Sequence, residues 1–175
     1  MSGHNKWTQI KRKKEKTDSQ KAKIFGKYSK FITEEARKAN GNLSSPGLKA
    51  VIDRAKEDNT PADIIERAIK KATEKGAALE RATYEAYGPG GVALIIEVLT
   101  DSKNRAAQEV KAILTRHELS LAGQGSASWA FQKQGMNWIP TTTTPISDED
   151  GQKLSDLIEA FEENDDVQEV FTNAE

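Results

Sequence analysis

The sequence predicts an α+β chain in two parts: an N-terminal three-helix bundle, then a ferredoxin-like β-α-β-β-α-β domain with an antiparallel four-stranded sheet. Three observations predict it. Up to Gly76 the apolar residues recur at helical spacing, in three short stripes each too narrow to be stable alone. Gly88-Pro89-Gly90-Gly91 then forms a turn before the most apolar run, residues 92–99, whose length and β-branched content favour a buried strand over a short helix. Beyond that run the patterns follow in the order helix, strand, strand, helix, strand, which completes the split β-α-β arrangement. The division assigns residues 1–80 to a basic arm and the bundle, and residues 81–175 to the α/β domain.

In the bundle, residues 19–39 carry Ile24, Phe25, Tyr28, Phe31, Ile32, Ala36 and Ala39 as one stripe, with Asp18 or Ser19 as cap and Asn40-Gly41 as stop. Residues 46–58 follow, with Ser45 as N-cap, Pro46 in the first turn and Leu48, Val51, Ile52 and Ala55 as the buried face. Thr60-Pro61-Ala62-Asp63 supplies a cap, a first-turn proline and a capping-box acid for the third helix, which buries Ile65, Ala68, Ile69 and Ala72.

In the second part, Asp101 or Ser102 caps a helix over residues 103–117. Ala127, Trp129 and Phe131 alternate with smaller residues in a half-buried strand over 126–131, which turns at Lys133-Gln134-Gly135 and pairs back through residues 136–139. Ser147 or Asp148 caps the last helix, with Leu154, Leu157, Ile158 and Phe161 at its core face, and residues 167–171 close the sheet. Two helices cover one sheet face; the other is left for a partner or for the bundle.

The net charge of −1 conceals a sorting along the chain. Residues 1–40 carry 12 Lys and Arg against 4 Asp and Glu, whereas residues 121–175 carry 2 against 11. A basic head suits a polyanion partner, because neutralised phosphates release condensed counterions. The alternative is that the two ends attract each other or are merely solvated. The run over residues 6–16 is too poor in apolar residues to order by itself, yet it can order on a phosphate backbone. Within it Lys6, Lys11, Arg12, Lys13 and Lys14 are candidate nucleic-acid contacts, and Trp7 either stacks on a base or pins the arm to the helices. Lys21, Lys23 and Lys27 on the first helix extend the candidate surface. Lys103, Asn104 and Arg105 join it, since cations beside free helix-end amides make a phosphate contact.

Other chemistry is thinly represented. With no cysteine there is no disulfide framework, thiol nucleophile or Cys-based metal site, and His4 and His117 are not spaced as ligands or as a nucleophile-base pair. Gly88 to Gly91 precedes a strand rather than opening a helix, so it reads as a turn and not a phosphate cradle. Acidic pairs near Asp148 and Asp165 are explained by capping and solubility before Mg²⁺. No apolar run spans a membrane and no secretory signal is present, so the expected location is the cytoplasm. The chain reads as no enzyme, with no cofactor, no metal and no small-molecule substrate.

Four stretches closely resemble the YebC family: Ser2-Gly3-His4-Asn5-Lys6-Trp7, Lys21-Ala22-Lys23-Ile24-Phe25, Tyr84-Glu85-Ala86-Tyr87-Gly88-Pro89-Gly90-Gly91 and Asp165-Asp166-Val167-Gln168-Glu169-Val170-Phe171. This family includes bacterial proteins labelled probable transcriptional regulators and the mitochondrial translational activator of cytochrome oxidase. The resemblance implies a start at residue 2 without a transit peptide, and a two-domain member, because the family's third domain is typically inserted where this chain has only residues 132–137. It supports two functions. One is an RNA-binding, ribosome-associated translation factor, favoured because a basic arm and helix face read shape and charge; the alternative is a DNA-binding transcriptional regulator. A protein-interaction module is a third class, distinguished by salt-insensitive binding.

Overall fold

The structure, a computed structural model, describes residues 16–76 and 78–175. It divides into two compact units, whose described parts are residues 16–76 with 78–79, and residues 80–175.

The first unit is helical. Helix α1 (Asp18–Lys38) is opened by a capping box in which Thr17 and Gln20 exchange side-chain and backbone hydrogen bonds, so the cap is Thr17 and not Asp18 or Ser19. Asn40 and Gly41, both at positive φ, end it as expected, and the Gly41 N–H returns to the Ala36 carbonyl. Helices α2 (Pro46–Glu57) and α3 (Ala62–Lys71) bury Leu48, Val51, Ala55, Ile65 and Ala68, and α1 adds Ile32 and Ala36. The Thr33 hydroxyl bonds the Ala68 carbonyl at 3.0 Å, tying α1 to α3. The capping box expected at Thr60 is absent. Thr60 spends its N–H on the Ala55 carbonyl, and its buried hydroxyl has no partner.

The second unit is α+β with an antiparallel four-stranded sheet, as predicted, but two of its strands come from other segments. Strand β1 (Glu80–Tyr87) pairs along its whole length with β2 (Ala93–Thr100) across the turn at Pro89–Gly91. Helix α4 (Lys103–Arg116) follows, capped by Ser102, and a two-residue strand β3 (Leu121–Ala122) pairs with the end of β1. The sheet order is β3-β1-β2-β6, with β6 (Val167–Thr172) antiparallel to β2. Residues 126–131 are not a sheet strand: Ser128–Ala130 is a 3₁₀ turn, and β4 (Phe131–Gln134) pairs only with β5 (Asn137–Pro140), as a separate hairpin. The physical reason is that β1 already occupies the edge of β2 which that hairpin would have needed.

Because β2 is central and buried on both faces, its side chains divide between two cores. Leu94, Ile96 and Val98 meet α4 and the last helix, α5 (Asp148–Glu162), through Val110, Leu114, Leu154, Leu157 and Phe161. Ala93 and Ile95 meet Ala127, Ala130, Phe131, Trp138 and Phe171. The second sheet face is therefore packed within the unit itself around Ala93 and Ile95. No helix among the described residues is long and apolar enough to cross a membrane.

Candidate nucleic-acid interface

Lys6, Trp7, Lys11, Arg12, Lys13 and Lys14 lie outside the described residues. Lys21, Lys23 and Lys27 lie on α1, in a unit whose residues 16–79 carry 14 Lys and Arg against 9 Asp and Glu. At about 100° per residue Lys23 and Lys27 fall on one line of the helix, and Lys21 falls on the opposite side. Lys21 is exposed; the other two are half-buried and have partners. These three cations thus do not make one patch.

Lys103, Asn104 and Arg105 stand at the start of α4 in the other unit. Lys103 and Asn104 are exposed, and the Lys103 carbonyl accepts a hydrogen bond from the Tyr84 hydroxyl at 3.3 Å. Arg105 is differently placed. Its Nη2 lies 2.7 Å from Asp166 Oδ2 and 2.8 Å from Asp101 Oδ1, and its Nε lies 3.7 Å from Glu109. Hydrogen bonds to Asp166 and then Asp101 raise its pKa further. Asp166 is buried and also accepts from the Thr100 hydroxyl at 2.8 Å. Arg105 therefore clamps the start of α4 to the start of β6 although its side chain is 47% exposed, and Lys103 and Asn104 are exposed beside it.

The Gly88 to Gly91 turn uses its amides internally. The Gly88 N–H donates to Val92 and the Gly91 N–H to Gly88. Gly90 has φ +71°, and a Cβ there would stand 2.7 Å from the Ile146 methyl Cγ2. It is a packed structural turn.

Sequence reasoning missed the roles of Glu85, Tyr87 and Trp129. Glu85 faces the second core at 6% exposure, and its carboxylate accepts three backbone N–H groups: Gly125 at 2.8 Å, Ala127 at 2.7 Å and Ser128 at 2.8 Å. Burial alone would raise its pKa; the three amide donors outweigh that and hold it below the usual carboxylate value. Tyr87 donates its hydroxyl proton to the Ser126 carbonyl and accepts from Trp129 Nε1 at 3.0 Å. The motif from Tyr84 to Tyr87 thereby fixes both the loop at 123–130 and the start of α4. The available signal was a carboxylate in a strand-like segment opposite an apolar run, together with the glycines at 123 and 125.

Among the described residues no group of three or more His, Cys, Asp or Glu is placed to hold a metal ion. Comparison with known proteins gives concordant results. A family model described as the TACO1/YebC protein N-terminal domain matches residues 5–75, and one described as the TACO1/YebC second and third domain matches residues 79–137 and 133–174. A relative from Dictyoglomus turgidum, named a probable transcriptional regulatory protein, is 43% identical over 182 residues, covering 100% of this chain and 72% of its own. One of the same name from Desulforamulus reducens is 35% identical over 243 positions, covering 100% and 99%. The crystal structure of a conserved hypothetical protein from Aquifex aeolicus matches with TM-score 0.81 at 30% identity, over 97% of this chain and 96% of that one. With both parts of the chain matched by the family's own domains, this protein belongs to the TACO1/YebC family.

Proposed function

We propose that this protein is a cytoplasmic, non-enzymatic regulator of gene expression that binds RNA through its basic arm and helical unit and acts in association with the ribosome. The observation that carries the reading is the segregation of charge. Residues 1–79 hold 19 Lys and Arg against 10 Asp and Glu, and residues 80–175 hold 7 against 17. Counterion release drives the basic part onto phosphates. The contacts are Lys6, Trp7, Lys11, Arg12, Lys13, Lys14, Lys21, Lys23 and Lys27, with Lys103 and Asn104 secondary. Residues 81–175 form the α/β domain without the family's inserted third domain. The double match around residues 133–137 supports that boundary, as does the alignment of the D. reducens relative over 243 positions against 175 residues here.

Duplex DNA is the second reading, favoured by the relatives' name as probable transcriptional regulatory proteins. Sedimentation of gently lysed cells separates the two. The RNA reading expects the protein with ribosomes or subunits at low salt and its release at high salt. Promoter binding that survives excess ribosomal RNA, with absence from ribosome fractions at low salt, would establish transcription instead. Replacing Lys11, Arg12, Lys13 and Lys14 by alanine should flatten the salt dependence of RNA binding by roughly 0.7 to 0.9 logarithmic units per lost contact. An unchanged slope in that titration would move the site elsewhere.

A further inference from the structure

We propose that the exposed indole of Trp129, held by Tyr87 and by the loop that Glu85 clasps, is a stacking platform for an unpaired base of an RNA strand. The proposal rests on the RNA-binding reading above and adds to it a site in the other unit.

Trp129 is 60% exposed although its neighbours Ala127 and Ala130 are fully buried, and the Tyr87 ring beside it is 38% exposed. The indole is nonetheless fixed. Its Nε1 donates to the Tyr87 hydroxyl, that hydroxyl donates to the Ser126 carbonyl, and Glu85 gathers the amides on both sides of Ser126. A ring already held in place loses little freedom when a base stacks on it. Single-strand binders use aromatic faces presented in this way, because every base has a π-face.

The local charge selects the partner. The unit carries 17 acidic residues, yet none lies between Glu118 and Asp148, and that acid-free stretch supplies Trp129 and Lys133. Of the carboxylates on this sheet face, Glu85 is held by three amides, Glu97 by Trp138 Nε1 at 2.6 Å and Lys133 Nζ at 4.0 Å, and Glu169 stands opposite Glu97 in β6. The Trp129 loop itself carries no carboxylate, unlike the start of α5 with its Asp148, Glu149 and Asp150. The residues flanking Trp129 in sequence include Gly123, Gln124, Ser126 and Ser128, which offer hydrogen bonds to a base edge.

The test uses the full chain with Trp129→Ala and Trp129→Phe, each first checked for an unchanged thermal midpoint. The probes are a short oligouridylate, an abasic strand of equal length and an RNA duplex. Trp129→Ala should weaken oligouridylate binding about tenfold, a typical loss for one stacked base, while Trp129→Phe keeps most of the affinity. The salt slope should not change, because no phosphate contact is lost. Affinities for the abasic strand and the duplex should stay at the wild-type level. Equal oligouridylate affinity in Trp129→Ala and wild type, or a uniform loss over all three probes, would overturn the proposal. If the wild type binds neither oligouridylate nor duplex in a salt-dependent way, the RNA reading itself falls; if it binds both and Trp129→Ala matches it, the stacking site alone falls.

Discussion

Replacing Glu85 with glutamine removes one charge and almost no volume, so it isolates what the carboxylate does for the loop at 123–130. In the native protein Oε1 accepts from Gly125, and Oε2 accepts from both Ala127 and Ser128. A glutamine has one oxygen and one NH₂. Turned to keep Ala127 and Ser128 satisfied, it sets its own donors against the Gly125 N–H. Hydrogen bonds to a charged acceptor are worth about 1.5–3 kcal/mol and a stranded buried donor costs about 1–3, so losing one contact and weakening two should cost roughly 2–4 kcal/mol. For a unit of this size that lowers the melting midpoint by at least about 8 °C. Thermal and urea denaturation followed by tryptophan fluorescence reads this unit, since Trp129 and Trp138 both belong to it. The pH dependence gives an internal check. A folded pKa below the unfolded one contributes stability that is present above the ordinary carboxylate range and is lost as pH falls through the folded value. The gap between wild type and Glu85→Gln should therefore be constant near neutrality and close in acid. A variant within about 0.5 kcal/mol of wild type, or a gap that persists at low pH, would refute the clasp.

Three further substitutions probe other features. Gly90→Ala should destabilise the α/β unit by about 2 kcal/mol or more in chemical denaturation, from the left-handed φ plus the contact its Cβ would make with Ile146. Thr60→Val removes a buried hydroxyl without a partner and should leave the helical unit as stable or up to about 1 kcal/mol more stable, which a urea midpoint will show. Arg105→Ala should lower the melting midpoint by leaving Asp166 without its cation, with little effect on RNA affinity; Lys103→Ala should do the reverse, and paired melting and filter-binding measurements distinguish them.

The helices were legible because their stripes and stops are local: Asn40-Gly41, Pro46 and Ser102 act where they stand. Strand β1 was not. Its helix-facing positions are Ala82, Tyr84 and Ala86, two of them small, and its opposite face holds Glu85, so no apolar alternation marks it. The alternation of Ala127, Trp129 and Phe131 with smaller residues points locally to a half-buried strand. There the Glu85 clasp, 42 residues away in sequence at Ala127, curls the backbone and turns the indole out. The position of Arg105 at a helix start points to a phosphate contact; its tie to Asp166, 61 residues on, is tertiary and leaves no local mark.

Strands β4 and β5 pair only with each other, and their last pair joins Gln134 to Asn137. Whatever a relative carries at that tip is joined to two chain ends already held side by side. Loop-closure entropy grows only with the logarithm of length, about 0.6 kcal/mol for each doubling, so the size of an insertion there barely registers in the folding equilibrium of the sheet and its helices. Trp138, one pair from the tip, is bonded to Glu97 and packed against Phe131, which anchors the hairpin on the sheet. A module inserted at this tip would thus be a nearly independent thermodynamic event, leaving the four-stranded sheet in the same register.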